Sequence, residues 1–350
     1  MVKRLAFAVP GDIETATGGY AYDRRVIAEL KKLGWSIDLV GFGDGFPWPD
    51  AKTRAAVGGI VAKLPEGCPI VIDGLALGVL PETVGALRGR NPLIALVHHP
   101  LALESGLPAA EADVLRTSER AALSHAPRVI VTSASTGKTL VANYGVPAER
   151  IVVARPGNDP AAPAQGGSDE IVRLIAVGSL VPRKGHDVLI AALQTLRDLD
   201  WRLTIAGNAE LDLDTAAKIK KQIAASGLAE RVTLVGVVST EKLAALYVQS
   251  DIFVLASHYE GYGMAYTEAI AHGLPVIGTT GGAIPEAVPP GAGILVEPGN
   301  VGALAEALRR LITSRDERQR FSSAARAAAA GFPTWQDTAK IFAAVVEAAT

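Results

Sequence analysis

Short apolar runs, each closed by a polar or glycine turn and followed by a segment with helical spacing of its apolar residues, recur through both halves of the chain. Leu5 to Val9 is the first run. A polar loop, Pro10 to Gly19, leads to a helix expected over Tyr20 to Leu33, with Val26, Ile27 and Leu30 on one face and Gly34 after its end. A second strand, Ser36 to Val40, follows. Further strand patterns stand at Ile70 to Ile72, Leu93 to Val97 and Val129 to Thr132, with helical segments such as Ala109 to Leu123 between them. Strands this apolar need cover on both faces, so the alternation predicts a parallel sheet layered by helices, an α/β fold.

The pattern is interrupted once. Pro160 to Asp169, P-A-A-P-A-Q-G-G-S-D, replaces periodic apolar residues with proline, glycine and serine. It restarts with strands at Arg173 to Ala176, Arg202 to Ala206, Val232 to Val235, Ile252 to Leu255 and Pro275 to Ile277. With 350 residues, 49% of them apolar and 20% charged, the chain has material for two cores. The domains are therefore set at 1–163 and 164–334. A last helix, 335–350, carries Ile341, Phe342, Val345 and Val346 on one face and is expected to cross back to the first domain. Ligands of such sheets bind outside the carboxyl ends of the strands, which points to a site in a cleft between the domains.

Several function classes are disfavoured. Formal net charge is -2 and neither half is strongly basic, so no nucleic-acid surface is indicated. The one cysteine, Cys68, allows no internal disulfide, and no C-x-x-C or His/Cys cluster offers a structural metal site. The apolar run behind Lys3 and Arg4 is too short for a signal peptide, and no stretch reaches membrane-spanning length. The expectation is a cytoplasmic protein whose membrane contact, if any, is peripheral. Phe46 and Trp48, in D-G-F-P-W-P-D, are open to packing in the core, stacking on sugars or touching a membrane.

Four short stretches carry chemistry. In E-G-Y-G-M-A-Y-T-E, Glu260 and Glu268 are eight positions apart around a loop with Gly261 and Gly263. Helical rise would separate them by roughly 12 Å, beyond the roughly 5 to 9.5 Å of hydrolytic carboxylate pairs. They read as two grips on one elongated ligand, with an anion over the glycines at the helix start; the plainer alternative is that Glu268 only caps or solvates its helix. V-G-S-L-V-P-R-K-G places Arg183 and Lys184 just past a strand, where cations neutralise a leaving diphosphate or are simply solvated. A-T-G-G-Y puts Gly18 and Gly19 before the first helix, a weak phosphate signal that is not G-x-G-x-x-G. In L-V-H-H-P, His98 and His99 end a strand, suited to binding hydroxyls or moving a proton, or to satisfying loop carbonyls. Histidines 125, 186, 258 and 272 are read as structural or solvated.

In that order the chain resembles the retaining GT-B glycosyltransferases of family 4, and the resemblance covers nearly all of it. R-V-T-L-V-G at Arg231 to Gly236, G-L-P-V-I at Gly273 to Ile277, T-T-G-G-A-I-P-E at Thr279 to Glu286 and G-I-L-V-E-P-G at Gly293 to Gly299 belong to the same pattern. The resemblance implies two Rossmann-like domains, an acceptor-binding N-terminal one and a nucleotide-sugar-binding C-terminal one. It implies transfer of a hexosyl group from a UDP- or GDP-linked donor to a hydroxyl of a sugar or lipid-linked acceptor. Configuration would be retained with no metal and no cofactor beyond the donor as co-substrate, in glycan, polysaccharide or glycolipid synthesis. Glu260, Lys184, Arg183 and His98 would be catalytic. Gly18, Gly19, Ser179, Val235, Gly261, Tyr262, Gly263, Met264 and Glu268 would bind the donor, with Glu268 on the ribose. The chain departs from the family at Ser179, where an arginine five residues before the lysine is usual; Arg183 is the replacement charge.

Other readings stay open on sequence alone. S-A-S-T-G-K-T, Ser133 to Thr139, follows a strand and opens a helix as a Walker A loop does, but Thr132 stands where the first glycine belongs and Lys138 would have to bind phosphate. A sugar epimerase of the same fold, or a nucleotide-sugar binding protein disabled at Ser179, would keep the grip and change or lose the reaction.

Overall fold

The computed structural model describes residues 3–167 and 170–350; Ser168 and Asp169, the end of the predicted break, lie outside them. Packing divides the chain into two compact units, Met1–Gly157 with Pro333–Thr350, and Asn158–Phe332. The division falls a few residues before the proline-rich break because that segment is bonded to the second unit. Ala164 N–H donates to the His272 carbonyl, Gln165 N–H donates to the Val248 carbonyl, and His272 Nδ1 meets the Ala162 carbonyl at 2.7 Å.

The first unit contains β1 (Arg4–Val9), β2 (Ser36–Gly41), β3 (Ile70–Asp73), β4 (Leu93–Val97), β5 (Arg128–Val131) and β6 (Ile151–Val153). They form one parallel sheet in the order β2-β1-β3-β4-β5-β6. β1, β3 and β4 are almost wholly buried, as strands covered on both faces must be. The sixth strand, three half-buried residues at the edge, has too little pattern to be read from sequence. The helix Trp335–Ala349 belongs to this unit. Tyr22 of the first helix meets Trp335 at 5.7 Å and Phe342 at 6.0 Å between ring centroids, and Thr338 Oγ1 donates to the Arg155 carbonyl.

The second unit repeats the design with β7 (Val172–Val177), β8 (Trp201–Ala206), β9 (Val232–Gly236), β10 (Ile252–Val254), β11 (Val276–Thr279) and β12 (Gly293–Val296). The parallel order is β12-β11-β10-β7-β8-β9. Each sheet grows outward on one side of its first strand and then returns to the other side. The order reverses between β1 and β3 in the first unit and between β7 and β10 in the second, and ligands of such sheets bind beyond the strand ends at those reversals.

Candidate functional site

At the β7/β10 reversal, three loops pack against one another. The loop after β7 turns through the short helical turn Pro182–Lys184 to Gly185, which caps the helix His186–Gln194. Gly185 has φ +61°, and a Cβ there would lie 2.1 Å from the Ala256 carbonyl oxygen, so only glycine lets the loops approach this closely. His258 N–H donates to the Arg183 carbonyl at 2.8 Å, and Ala283 N–H to the Glu260 carbonyl at 2.8 Å. These bonds aim Arg183, Lys184 and Glu260 at one point. The Glu260 carboxylate, 6% exposed, accepts from Lys184 Nζ at 2.6 Å, Ser257 Oγ at 2.7 Å and Arg183 Nη1 at 3.1 Å. Burial alone would push Glu260 up, but the two cations outweigh it and hold the carboxyl at about 2. The group carries one net positive charge at neutrality, a setting for a polyanion.

The second glutamate sits elsewhere in that motif. Glu268 lies in the helix Met264–Ala271 and accepts from the buried Tyr247 hydroxyl at 3.1 Å. The helix starts at Gly263, whose φ of +103° no other residue adopts without strain, and no side chain caps it. Gly261 and Tyr262 are buried beside it and Met264 half-buried. Val235 is half-buried near the end of β9. Ser179 contributes backbone: its carbonyl and that of Gly178 face Nε2 of the buried His186 at 3.3 and 3.2 Å. Burial lowers His186 to about 4, so it is a neutral ring that braces the Gly178–Gly185 loop.

At the β1/β3 reversal the structure brings Gly19 and His98 together: a Cβ on Gly19 would lie 3.4 Å from His98 Cδ2, whereas Gly18 faces open space. Both glycines belong to the helix Gly18–Lys32, not to the loop before it, because Thr17 is the cap, its side chain accepting from the Tyr20 amide. His98 Nε2 lies 3.1 Å from Asp23 and 3.3 Å from Asp73. His99 turns instead to Glu104 at 3.2 Å.

Asp23, Asp73, Ser257 and Tyr247 were not singled out from sequence. Asp73 had a signal, a charged residue closing the buried run I-V-I-D; the others lie among ordinary helix and loop residues. The Walker-like stretch is an ordinary helix start: the Ser133 hydroxyl takes the Thr136 amide, Gly137 is buried against Ile151, and Lys138 is exposed. Phe46 packs on the first core while Trp48 is 48% exposed. Among the described residues no helix is long and apolar enough to cross a membrane.

The family model described as "Glycosyl transferases group 1" matches residues 162–328, and one described as "Glycosyltransferase Family 4" matches 79–162. The MMP alpha-(1->4)-mannosyltransferase of Mycolicibacterium hassiacum is 30% identical over 346 residues, covering 92% of this chain and 82% of that one. The D-inositol 3-phosphate glycosyltransferase of Nocardia farcinica is 32% identical over 284 residues, 75% of this chain and 63% of that one, so the match spans less than two thirds of that relative. Among solved structures, sucrose-phosphate synthase (tll1590) from Thermosynechococcus elongatus matches with a TM-score of 0.84 at 20% identity, covering 99% and 98% of the two chains. Anabaena Alr3699/HepE in complex with UDP and glucose matches at 0.78 and 20%, covering 99% and 100%. At those identities the likeness is one of fold.

Proposed function

The chain belongs to the group 1, or family 4, glycosyltransferases, and we propose that it moves a hexosyl group from a UDP- or GDP-linked sugar to an acceptor hydroxyl with retention of configuration. Its two six-stranded parallel sheets are those of the GT-B fold. The observation that carries the reading is the buried Glu260 carboxylate held between Arg183 and Lys184 at the β7/β10 reversal. The names of the relatives favour mannose as the sugar and a phosphorylated acceptor.

In this proposal Lys184 and Arg183 take the charge that develops on the departing diphosphate, the part a preorganised cation plays best in a dry site. Arg183 stands in for the arginine missing at Ser179. Glu260 orients the sugar hydroxyls, Glu268 the ribose, and His98 a further sugar hydroxyl. The acceptor attacks the face the diphosphate leaves, and a phosphate oxygen takes its proton. No metal is assigned to this step; EDTA is expected to leave the rate unchanged, and restoration by added Mg2+ would overturn that assignment.

The test is thermal stabilisation by a panel of UDP-, GDP- and ADP-sugars beside ATP, then product analysis with the donor that binds. A donor at 100 times its dissociation constant stabilises by about 2.7 kcal/mol, and Glu268→Ala is expected to abolish that gain. Stabilisation by ATP alone, an inverted anomeric product, a trapped glycosyl-enzyme, or an epimerised sugar released without acceptor would each overturn the reading.

A further inference from the structure

We propose that Asp23 and Asp73 are positioning residues for His98: together they fix a hydrogen on Nε2 and keep the ring cationic, so that Nδ1–H is the donor presented to the ligand. That His98 meets the donor sugar is the function proposed above, on which this inference rests.

Three elements converge to make the cluster. Asp23 comes from the helix Gly18–Lys32 and is fully buried, Asp73 ends β3, and His98 is the first residue after β4. One ring nitrogen faces both carboxylates, at 3.1 and 3.3 Å. A nitrogen placed between two acceptor oxygens has to carry hydrogen, since a lone pair there would be repelled by both. Nε2 is thereby committed. Nδ1 has no partner among the described residues, and the side chain keeps 19% of its exposure.

The ring and its partners are held from several sides. Asp73 Oδ1 accepts from the Leu75 amide at 2.7 Å, which fixes its other oxygen toward His98. The Thr132 hydroxyl donates to the His98 carbonyl at 3.1 Å, and Tyr22 stands edge-on to the ring at 5.3 Å. Two buried carboxylates side by side need a compensating charge, and the imidazolium is the one present. Burial alone would lower His98, but Asp23 and Asp73 outweigh it and raise it to about 10; burial raises Asp23 to about 7 against the pull of His98, and Asp73 adds to the rise. The other titratable groups facing the two carboxylates are Tyr20 and Tyr22. Both phenols are pushed up chiefly by burial and stay neutral.

The test starts from the unmodified protein and needs no donor: 15N-edited NMR of the histidine rings. His98 is expected to keep both nitrogens protonated between about pH 6 and 9, where a free ring loses its charge near 6.5, with any signal shift near pH 7 following Asp23. Asp23→Asn and Asp73→Asn should each return the ring to titration in that window. Outer partners of metal-bound histidines contribute about 10- to 100-fold; a loss of kcat of that size is expected here in both variants, with KM for the donor sugar within about twofold. A neutral His98 ring at pH 7 in the unmodified protein would overturn the proposal, as would ring signals that shift on adding EDTA, which would assign the cluster to a cation. So would variants that move neither the signals nor kcat. A cationic ring with unchanged transfer in His98→Ala would locate the failure in the assigned role of His98 and leave the ring chemistry standing.

Discussion

The two sheets of this protein reverse their strand order in the same way and place polar clusters of opposite sign at the reversal. In the second unit one carboxylate, Glu260, is held by two cations, Arg183 and Lys184. In the first, one ring, His98, is held by two carboxylates, Asp23 and Asp73. The sheet fixes where side chains from two strand ends and a helix meet; the residues there decide whether the meeting place draws an anion or presents a hydrogen-bond donor. Topology alone therefore says where to look and nothing about what binds.

The sharpest way to break the contrast is to remove the central charge of the second cluster. Glu260→Gln leaves Arg183 and Lys184 beside a neutral amide in a buried setting. Breaking such a pair costs about 3 to 5 kcal/mol, and urea unfolding should show a loss of that size. A loss below about 1 kcal/mol, the range of exposed pairs, would mean that solvent reaches the cluster and that it is no built site.

Next in size is the catalytic effect of the cations. Lys184→Ala should slow transfer by about 2.7 to 4 kcal/mol of barrier, the cost of losing one charge-stabilising partner, with donor affinity changing much less. Arg183→Ala should fall in the same range if it replaces the charge absent at Ser179. Steady-state kinetics on both variants reads the comparison directly, and an Arg183→Ala enzyme with full activity would leave Lys184 as the sole cation.

The units should also respond to opposite ends of the pH scale. In the second, the Glu260 pKa is depressed, so its contribution is complete above its unfolded value near 4.5 and is lost as pH falls through about 2. His186, lowered by burial, contributes fully above 6.5 and loses that as pH falls through about 4; at pH 5 this amounts to about 2 kcal/mol. In the first, His98 is raised, so its contribution is complete below 6.5 and lost as pH rises through about 10. Glu119, raised to about 8 by burial, and Asp23, raised to about 7, also favour the fold at low pH and lose that as pH rises through those values. Amide hydrogen exchange mapped to each unit should show 158–332 loosening first near pH 5 and 3–157 loosening first near pH 9. The same order at both ends would show that the clusters do not set local stability.

These clusters were unequally legible in the sequence. The strands and the trio Arg183, Lys184 and Glu260 could be found because each is local: an apolar run, a charge just past a strand, an acid beside glycines. The His98 partners could not, because Asp23 and Asp73 are 75 and 25 positions away and neither sits in a run of unusual composition. Ser257 and Tyr247 were equally silent, since a hydroxyl acquires meaning only when folding sets a carboxylate 2.7 or 3.1 Å from it. The edge strands β6 and β12 were missed as strands for a different reason: half-buried and three or four residues long, they lack the apolar density that marks a covered strand.

The smallest effect is expected from restoring what the family pattern has and this chain lacks. Ser179→Arg would add a third cation to a loop that already carries Arg183 and Lys184. The first charges beside a diphosphate neutralise most of it, and a further one meets a nearly screened group while being repelled by its neighbours. Transfer should therefore change by less than about threefold, roughly 0.6 kcal/mol of barrier. A gain of tenfold or more would give the opposite lesson. Arg183 already donates to Glu260 and to the Tyr259 carbonyl, and such a gain would mean that those bonds hold its charge back from the ligand. The cation pair of the second unit would then be a brace for Glu260, as the two carboxylates of the first are for His98.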